Sequence, residues 1–309
     1  MNLKSLIVSI NLLLFCFVAQ GQTYVASIEE AEKLYDEKKY EESGKAYDKA
    51  FLIQNGDNGD YYSAACSWAL ANNVKKSFAA LNSSIEKGWV DLDWMLNDED
   101  LKTLHAAKEW QILVTSLKKK IALIEKNYNR PLKDELELIG MKDQALRQLL
   151  KPAEEKFGPG TPEINYFTSL VRDQDSINQK RVMVILDQYG WPATSLVGEK
   201  ANNAVALVIQ HAPLQVQEKY IPLLRTSVQK KESTTDMLPL MEDRILMRNG
   251  KPQIYGSQVI PNQTTKKYEL YNLYDPKNVD KRRAEMGLEP LQDYLKRFGI
   301  EWSSGGVQK

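Results

Sequence analysis

Residues 31–91 repeat with a period of 34: Tyr40 is answered by Val74, Ser43 by Ser77, Tyr47 by Leu81 and Ala50 by Ser84. Small and bulky residues recurring at fixed offsets over such a period specify stacked helical hairpins, because each hairpin shelters its apolar face only against the next one. Ala31, Leu34 and Tyr35 recur at helical spacing, residues 40–50 follow as a second amphipathic helix, and Glu37-Lys38-Lys39 makes the turn between them. Asn55-Gly56-Asp57-Asn58-Gly59 then breaks the chain. Tyr61, Ala65, Trp68 and Ala69 open the next pair, which residues 74–85 close.

This pattern resembles the tetratricopeptide repeat over residues 27–90, with Ser43 and Ser77 where that family usually has alanine and Asn55 and Trp89 where it usually has proline. The resemblance implies a concave groove that receives a peptide or a partner helix. Two hairpins rarely make a stable array alone, so residues 92–113 and a long helix over 114–128 are expected to act as a cap. His105 falls in the cap and reads as a structural histidine, since no partner with ligand spacing accompanies it.

Residues 1–21 read as an export signal. Lys4 supplies the positive start, residues 6–19 form an apolar run broken only by Ser9 and Asn11, and Ala19-Gln20-Gly21 provides the small residues of a cleavage site ahead of Gln22. The run is shorter than the roughly 20 apolar residues of a spanning helix and lacks a basic stop. Cys16 lies inside it behind bulky Phe15, which argues against a lipid anchor. The expected location is the periplasm or the extracellular space. Across the whole chain 41 basic residues balance 41 acidic ones, and losing Lys4 leaves a formal net charge of −1 before histidine. Such a balance favours neither nucleic acid nor, after cleavage, a membrane partner. Cys66 is then the lone thiol, set in the small-residue stripe Ala64-Ala65-Cys66, and reads as a core hydrophobe rather than a nucleophile.

Asn129-Arg130-Pro131 is a natural boundary, because the residue before proline is pushed out of helical geometry. Helices are expected beyond it over 136–151, 176–189 with Asp175 as cap, 202–211, 213–228, 236–247, 279–286 and 291–298. Phe157-Gly158-Pro159-Gly160-Thr161-Pro162 and Gly190-Trp191-Pro192 mark breaks between them. One strand pair is expected, 253–259 with 267–273, around a Pro261-Asn262-Gln263 turn. Its alternation puts Ile254, Gly256 and Gln258 on one face, with Gly256 allowing a close backbone approach beside the Gln258 amide. Gly190-Trp191-Pro192, Gln210-His211-Ala212, Asp243-Arg244, Gln253-Ile254-Tyr255-Gly256-Ser257-Gln258 and Arg282-Arg283, in that order, resemble an uncharacterised family of bacterial proteins, a domain of unknown function, over about residues 132–296. The resemblance supports a domain there and implies no chemistry.

Several mechanisms are excluded by what the sequence lacks: it has no GxSxG elbow, Walker loop, GxGxxG after a strand, HExxH or paired CxxC. With one histidine and no cysteine in the second half, a zinc site would use carboxylates almost alone; a magnesium or calcium site on Asp and Glu stays open without an acidic loop of ligand spacing to support it, and no metal or cofactor is assigned. Ala204, Leu207, Val208 and His211 share one helical face, which aims His211 inward at a helix end. It then either satisfies last-turn carbonyls or serves as a general acid or base. In the second case Asp243 orients its ring, Arg147 and Arg244 hold an anionic group, and Gln258, Tyr255 and Trp191 complete the pocket. The plain alternative makes Asp143 and Arg147 an ordinary i,i+4 pair.

The expected fold is mainly α, a short tetratricopeptide-like helical-hairpin array plus a second, mostly helical α+β domain with one β-hairpin. The expected domains are the signal peptide (1–21), the repeats with a helical cap (22–128), the second domain (129–302) and a disordered tail (303–309). The expected function is capture of a protein or peptide partner by an exported chain. The alternative is a metal-free hydrolase or transferase acting on an anionic substrate with His211 as acid or base. Whether the second domain is an enzyme stays open at this point.

Overall fold

The computed structural model describes residues 24–262, 264–265 and 267–303. The signal expected over 1–21, Gln263 of the expected turn and residues 304–309 of the expected tail lie outside the described residues. Among the described residues the fold is mainly α with one small antiparallel strand pair, in the class the sequence leads one to expect. None of the helices among them is long and apolar enough to cross a membrane. The chain divides into two compact units, before and after the junction of Lys126 and Asn127.

The first unit begins with a helix over 24–36 (α1), followed by α2 (Tyr40–Ile53), α3 (Asn58–Leu70) and α4 (Val74–Glu86). The period of 34 is written in its hydrogen bonds. The Ser43 hydroxyl donates to the Ala31 carbonyl at 2.7 Å, and one period later the Ser77 hydroxyl donates to the Ala65 carbonyl at the same distance. Both serines are fully buried, so the neighbouring helix supplies the partner that a buried hydroxyl requires. Gly44 lets α2 press against α3, since a Cβ there would lie 2.5 Å from the Trp68 indole. Asp57 and Asp60 form a reciprocal capping box on α3, and Asn73 caps α4.

The cap consists of α5 (Leu92–Asn97), a 3-10 turn (Glu99–Leu104) and α6 (Lys108–Ile124). It buries Met95, Leu101, Leu104, Leu113 and Leu117 against Tyr62, Ala65, Phe78 and Leu81. The long cap helix starts earlier than the expected 114, because the extended Ala107 begins α6 with Trp110 already in the core. His105 stacks on Trp110 with ring centroids 4.3 Å apart.

The second unit contains α7 (Arg130–Phe157), α8 (Pro162–Tyr189), α9 (Thr194–His211), α10 (Leu214–Gln229) and α11 (Met237–Arg248). Their core joins Leu136, Ile139, Val182, Ile185, Val205, Ile209, Tyr220, Leu224 and Met241. Helix α8 runs from Pro162, not from 176; Thr161 caps it, and Ile164 is already buried in its first turn. Asp175 is therefore a mid-helix residue rather than a cap. Helix α9 likewise starts before 202 and bends at Gly198, where φ is +82° and the Tyr128 ring lies 3.1 Å from where a Cβ would stand.

Strands β1 (Val259–Pro261) and β2 (Tyr268–Leu270) pair antiparallel, Ile260 opposite Glu269. The expected strand over 253–259 is mostly a loop, with Gln253 alone forming an isolated bridge to Leu273. The reason is Asp243, whose carboxylate draws the backbone N–H groups of Ile254, Tyr255 and Ser257 away from any strand partner. Gly256 (φ +76°) does permit a close approach, but to Leu291, whose side chain would lie 2.7 Å from an added Cβ. Helices α12 (Val279–Glu285) and α13 (Leu291–Lys296) finish the unit around Val279, Leu291, Leu295, Ile300 and Trp302.

Candidate functional site

A groove of about 520 Å³ opens on the first unit. Helix α1 contributes Glu32, Tyr35 and Asp36, α3 contributes Tyr62 and Cys66, and the cap side contributes Trp89, Trp94, Asp98 and Asp100. Local structure holds these groups in place. Asp98 caps the 3-10 turn by accepting the Asp100 N–H at 3.0 Å, and its other oxygen accepts the Tyr62 hydroxyl at 2.8 Å. The Tyr35 hydroxyl donates to Asp100. Trp89 lies flat on Tyr62, centroids 4.0 Å apart, while Trp94 is 61% exposed.

The electrostatics of the groove are one-sided. Glu32 is pushed above the ordinary carboxylate value by burial and then by Asp60, Asp36 and Glu29. Burial, followed by the Asp98 and Asp100 carboxylates, pushes the Cys66 thiol strongly up, so it stays protonated and unreactive. Cys66, Asp98 and Asp100 do offer ligand atoms within 4.8 Å of one another. Two tyrosine hydroxyls and a protonated thiol occupy that set, which disfavours a cation coordinated by all three.

In the second unit a polar network surrounds the C-terminal end of α9. His211 Nδ1 lies 3.0 Å from Asp143 Oδ2, with Asp143 1% exposed and the imidazole 21% exposed. Gln144 donates to the same carboxylate at 2.7 Å. Arg147 donates to the Asp143 carbonyl and to Asp175 Oδ2, each at 2.8 Å. Burial pushes the Asp143 carboxyl up, but His211, Arg147 and Gln144 together outweigh it and hold the group below the ordinary carboxylate value. From α11, Arg244 donates to the Gln210 carbonyl at 3.0 Å and to Gln258 Oε1 at 3.2 Å, and Arg248 donates to the Ala212 carbonyl at 2.8 Å. Both arginines thus answer the exposed carbonyls and negative dipole end of α9. Burial, then the charges of Arg248 and Arg147, lowers the Arg244 pKa below its usual value.

Asp143 replaces Asp243 as the partner of the histidine ring. Asp243 is fully buried and spends its oxygens on the 254–257 backbone and the Ser257 hydroxyl. Arg282 and Arg283 hold the same loop from the other side through the Ile254 and Tyr255 carbonyls. Tyr255 is pushed up to about 12 by burial and by Glu242, the carboxylate its hydroxyl bonds. Trp191 is buried in the apolar core with Val205, Ile209 and Leu224, and among the described residues its indole N–H has no hydrogen-bond partner. The structure therefore gathers His211 and Arg147 around Asp143, holds Arg244 on Gln258 and the Gln210 carbonyl as a separate set of bonds, and places Trp191 in the apolar core.

Asp143, Asp175 and His211 also offer ligand atoms within 4.8 Å of one another. Arg147 stands 3.6 Å from Asp143 and 2.8 Å from Asp175, so a guanidinium already supplies the positive charge these carboxylates need. Sequence reasoning missed Asp175, because a long α8 was needed to bring it opposite Arg147. It gave no site role to the groove's carboxylates Glu32, Asp36, Asp98 and Asp100.

A protein-family model described as a family of unknown function (DUF6624) matches residues 130–303. No curated protein and no solved structure matches the chain.

Proposed function

Because the chain belongs to the DUF6624 family, whose description assigns no activity, we propose from its own residues that it is an exported adaptor whose first unit captures a segment of a protein partner. The observation that carries this reading is the groove between α1, α3 and the cap. Its volume suits a few side chains, and its aromatic walls provide contact area at low entropic cost. The recurrence of the Ser43 and Ser77 bonds at a spacing of 34 supports the tetratricopeptide assignment of the two hairpins. Export rests on the sequence of residues 1–21, and N-terminal sequencing of the protein from its own cells should begin at Gln22.

The test is affinity capture of binding partners with the full chain beside a Trp94→Ala variant. Trp94 is exposed, so its removal leaves the core intact while stripping one wall of the groove. A partner retained by the first bait and lost from the second supports the reading. The same partners on both baits would refute it.

The contact between Asp143 and His211 favours a second reading for the other unit. A carboxylate on Nδ1 fixes the imidazole with Nε2 outward, the arrangement of a general base, and an anionic group would have to draw on Arg147 and Arg244 in competition with Asp175 and the Gln210 carbonyl they now hold. On this reading His211 moves a proton at a phosphate or carboxylate. Inorganic phosphate titrated into the full chain should then perturb the His211 ring resonances by NMR, and unchanged resonances would end the reading.

A further inference from the structure

The groove's lining has one sign of charge, and that sign specifies what fits it. Among the described residues Glu32, Asp36, Asp98 and Asp100 all line it, and no lysine, arginine or histidine does. Among the described residues none of the four carboxylates forms an ion pair, whereas surface acids elsewhere in the unit, such as Glu41 and Asp48, have a lysine at 2.7 Å. The lining also carries five aromatic rings, Tyr35, Tyr47, Tyr62, Trp89 and Trp94. Indole and phenol faces attract cations through the ring quadrupole. Unneutralised carboxylates beside such faces, in a partly desolvated cleft, repel an anionic segment and gain from a cationic one.

We infer that the groove recognises a basic peptide segment, inserting a lysine or arginine side chain between the carboxylates of Glu32, Asp36 and Asp100 and the ring of Trp94. This deepens, and rests on, the reading of the groove as a partner site. The charged head meets the carboxylates while its methylene stem lies along the indole. Glu32 is displaced upward first by burial and then by the neighbouring acids Asp60, Asp36 and Glu29, and a cation seated beside it would relieve the second of these.

The probe is a random peptide library displayed on phage, selected on the full chain and counter-selected on a Glu32→Gln, Asp36→Asn double variant. Both substituted residues are exposed, and thermal melting of the variant checks that the fold is kept. Groove-dependent clones should be enriched several-fold in lysine and arginine over the input. A synthetic peptide from the leading clone should bind the double variant about tenfold more weakly, and should weaken as salt is raised. Groove-dependent clones that are neutral or acidic, or binding indifferent to both salt and the double variant, would overturn the inference and leave the partner site standing. If no clone depends on the groove at all, the partner-site reading itself fails.

Discussion

His211 Nδ1 lies 3.0 Å from a carboxylate oxygen of Asp143, although 68 residues separate the two in the chain. Helix α7 brings the acid and the last residue of α9 brings the imidazole. Asp143 is the most buried member of its network, and removing its carboxylate leaves His211 and Gln144 without their shared acceptor and takes from Arg147 an ion-pair partner 3.6 Å away. Asp143→Ala should therefore lower stability by about 2–4 kcal/mol, less than a fully buried pair would lose, since His211 and Arg147 are partly solvated. Urea unfolding of the two proteins measures this, and a loss within error of zero would contradict it.

The same carboxylate fixes a pH dependence. Its pKa is held below the ordinary value near ~4, so the folded chain keeps it ionised where the unfolded chain binds a proton. That contribution is complete above about pH 4 and is lost as the pH falls through the lowered value. Stability measured across this acid window should fall less steeply for Asp143→Asn than for the unaltered chain.

Two substitutions probe the repeat. Ser77→Ala removes a buried hydroxyl and leaves the Ala65 carbonyl with one acceptor site unused, at a cost of about 1 kcal/mol. Gly44→Ala places a methyl against the Trp68 ring and should cost about 1–3 kcal/mol through overpacking. Thermal melting should therefore rank Gly44→Ala at or below Ser77→Ala.

Cys66 is buried and its thiol is pushed strongly up by burial and the neighbouring acids. In the native protein it should react with a disulfide reagent orders of magnitude more slowly than after unfolding in guanidinium. Rapid native labelling would show that the groove floor is open to solvent.

The fold class and the hairpin period were legible because both are local: apolar spacing, breakers and a repeated serine survive in one dimension. The strand over 253–259 was misread for a tertiary reason, since its alternation fits a strand but a buried carboxylate eleven residues earlier claims its N–H groups. Asp243 was expected to orient the histidine ring if the helices of the second unit converged. The helical register instead turns it into the loop, and the ring is met by Asp143 from another helix. The start of α8 was placed too late because residues 162–175 are largely polar, and only packing against α7 shows that they are helical. The groove's carboxylates come from α1 and from the turn after α5, more than sixty residues apart, and no local pattern unites them.

The most direct measurement is a photo-crosslinking amino acid placed at position 94 in the full chain, expressed in the cells that make it, with position 52 as control. Both Trp94 and Leu52 are exposed, and Trp94 alone of the two lines the groove. The account predicts a discrete protein adduct from position 94, crosslinked through a lysine- or arginine-bearing segment, and none from position 52. The absence of an adduct at 94, or the same adducts from both positions, would contradict it.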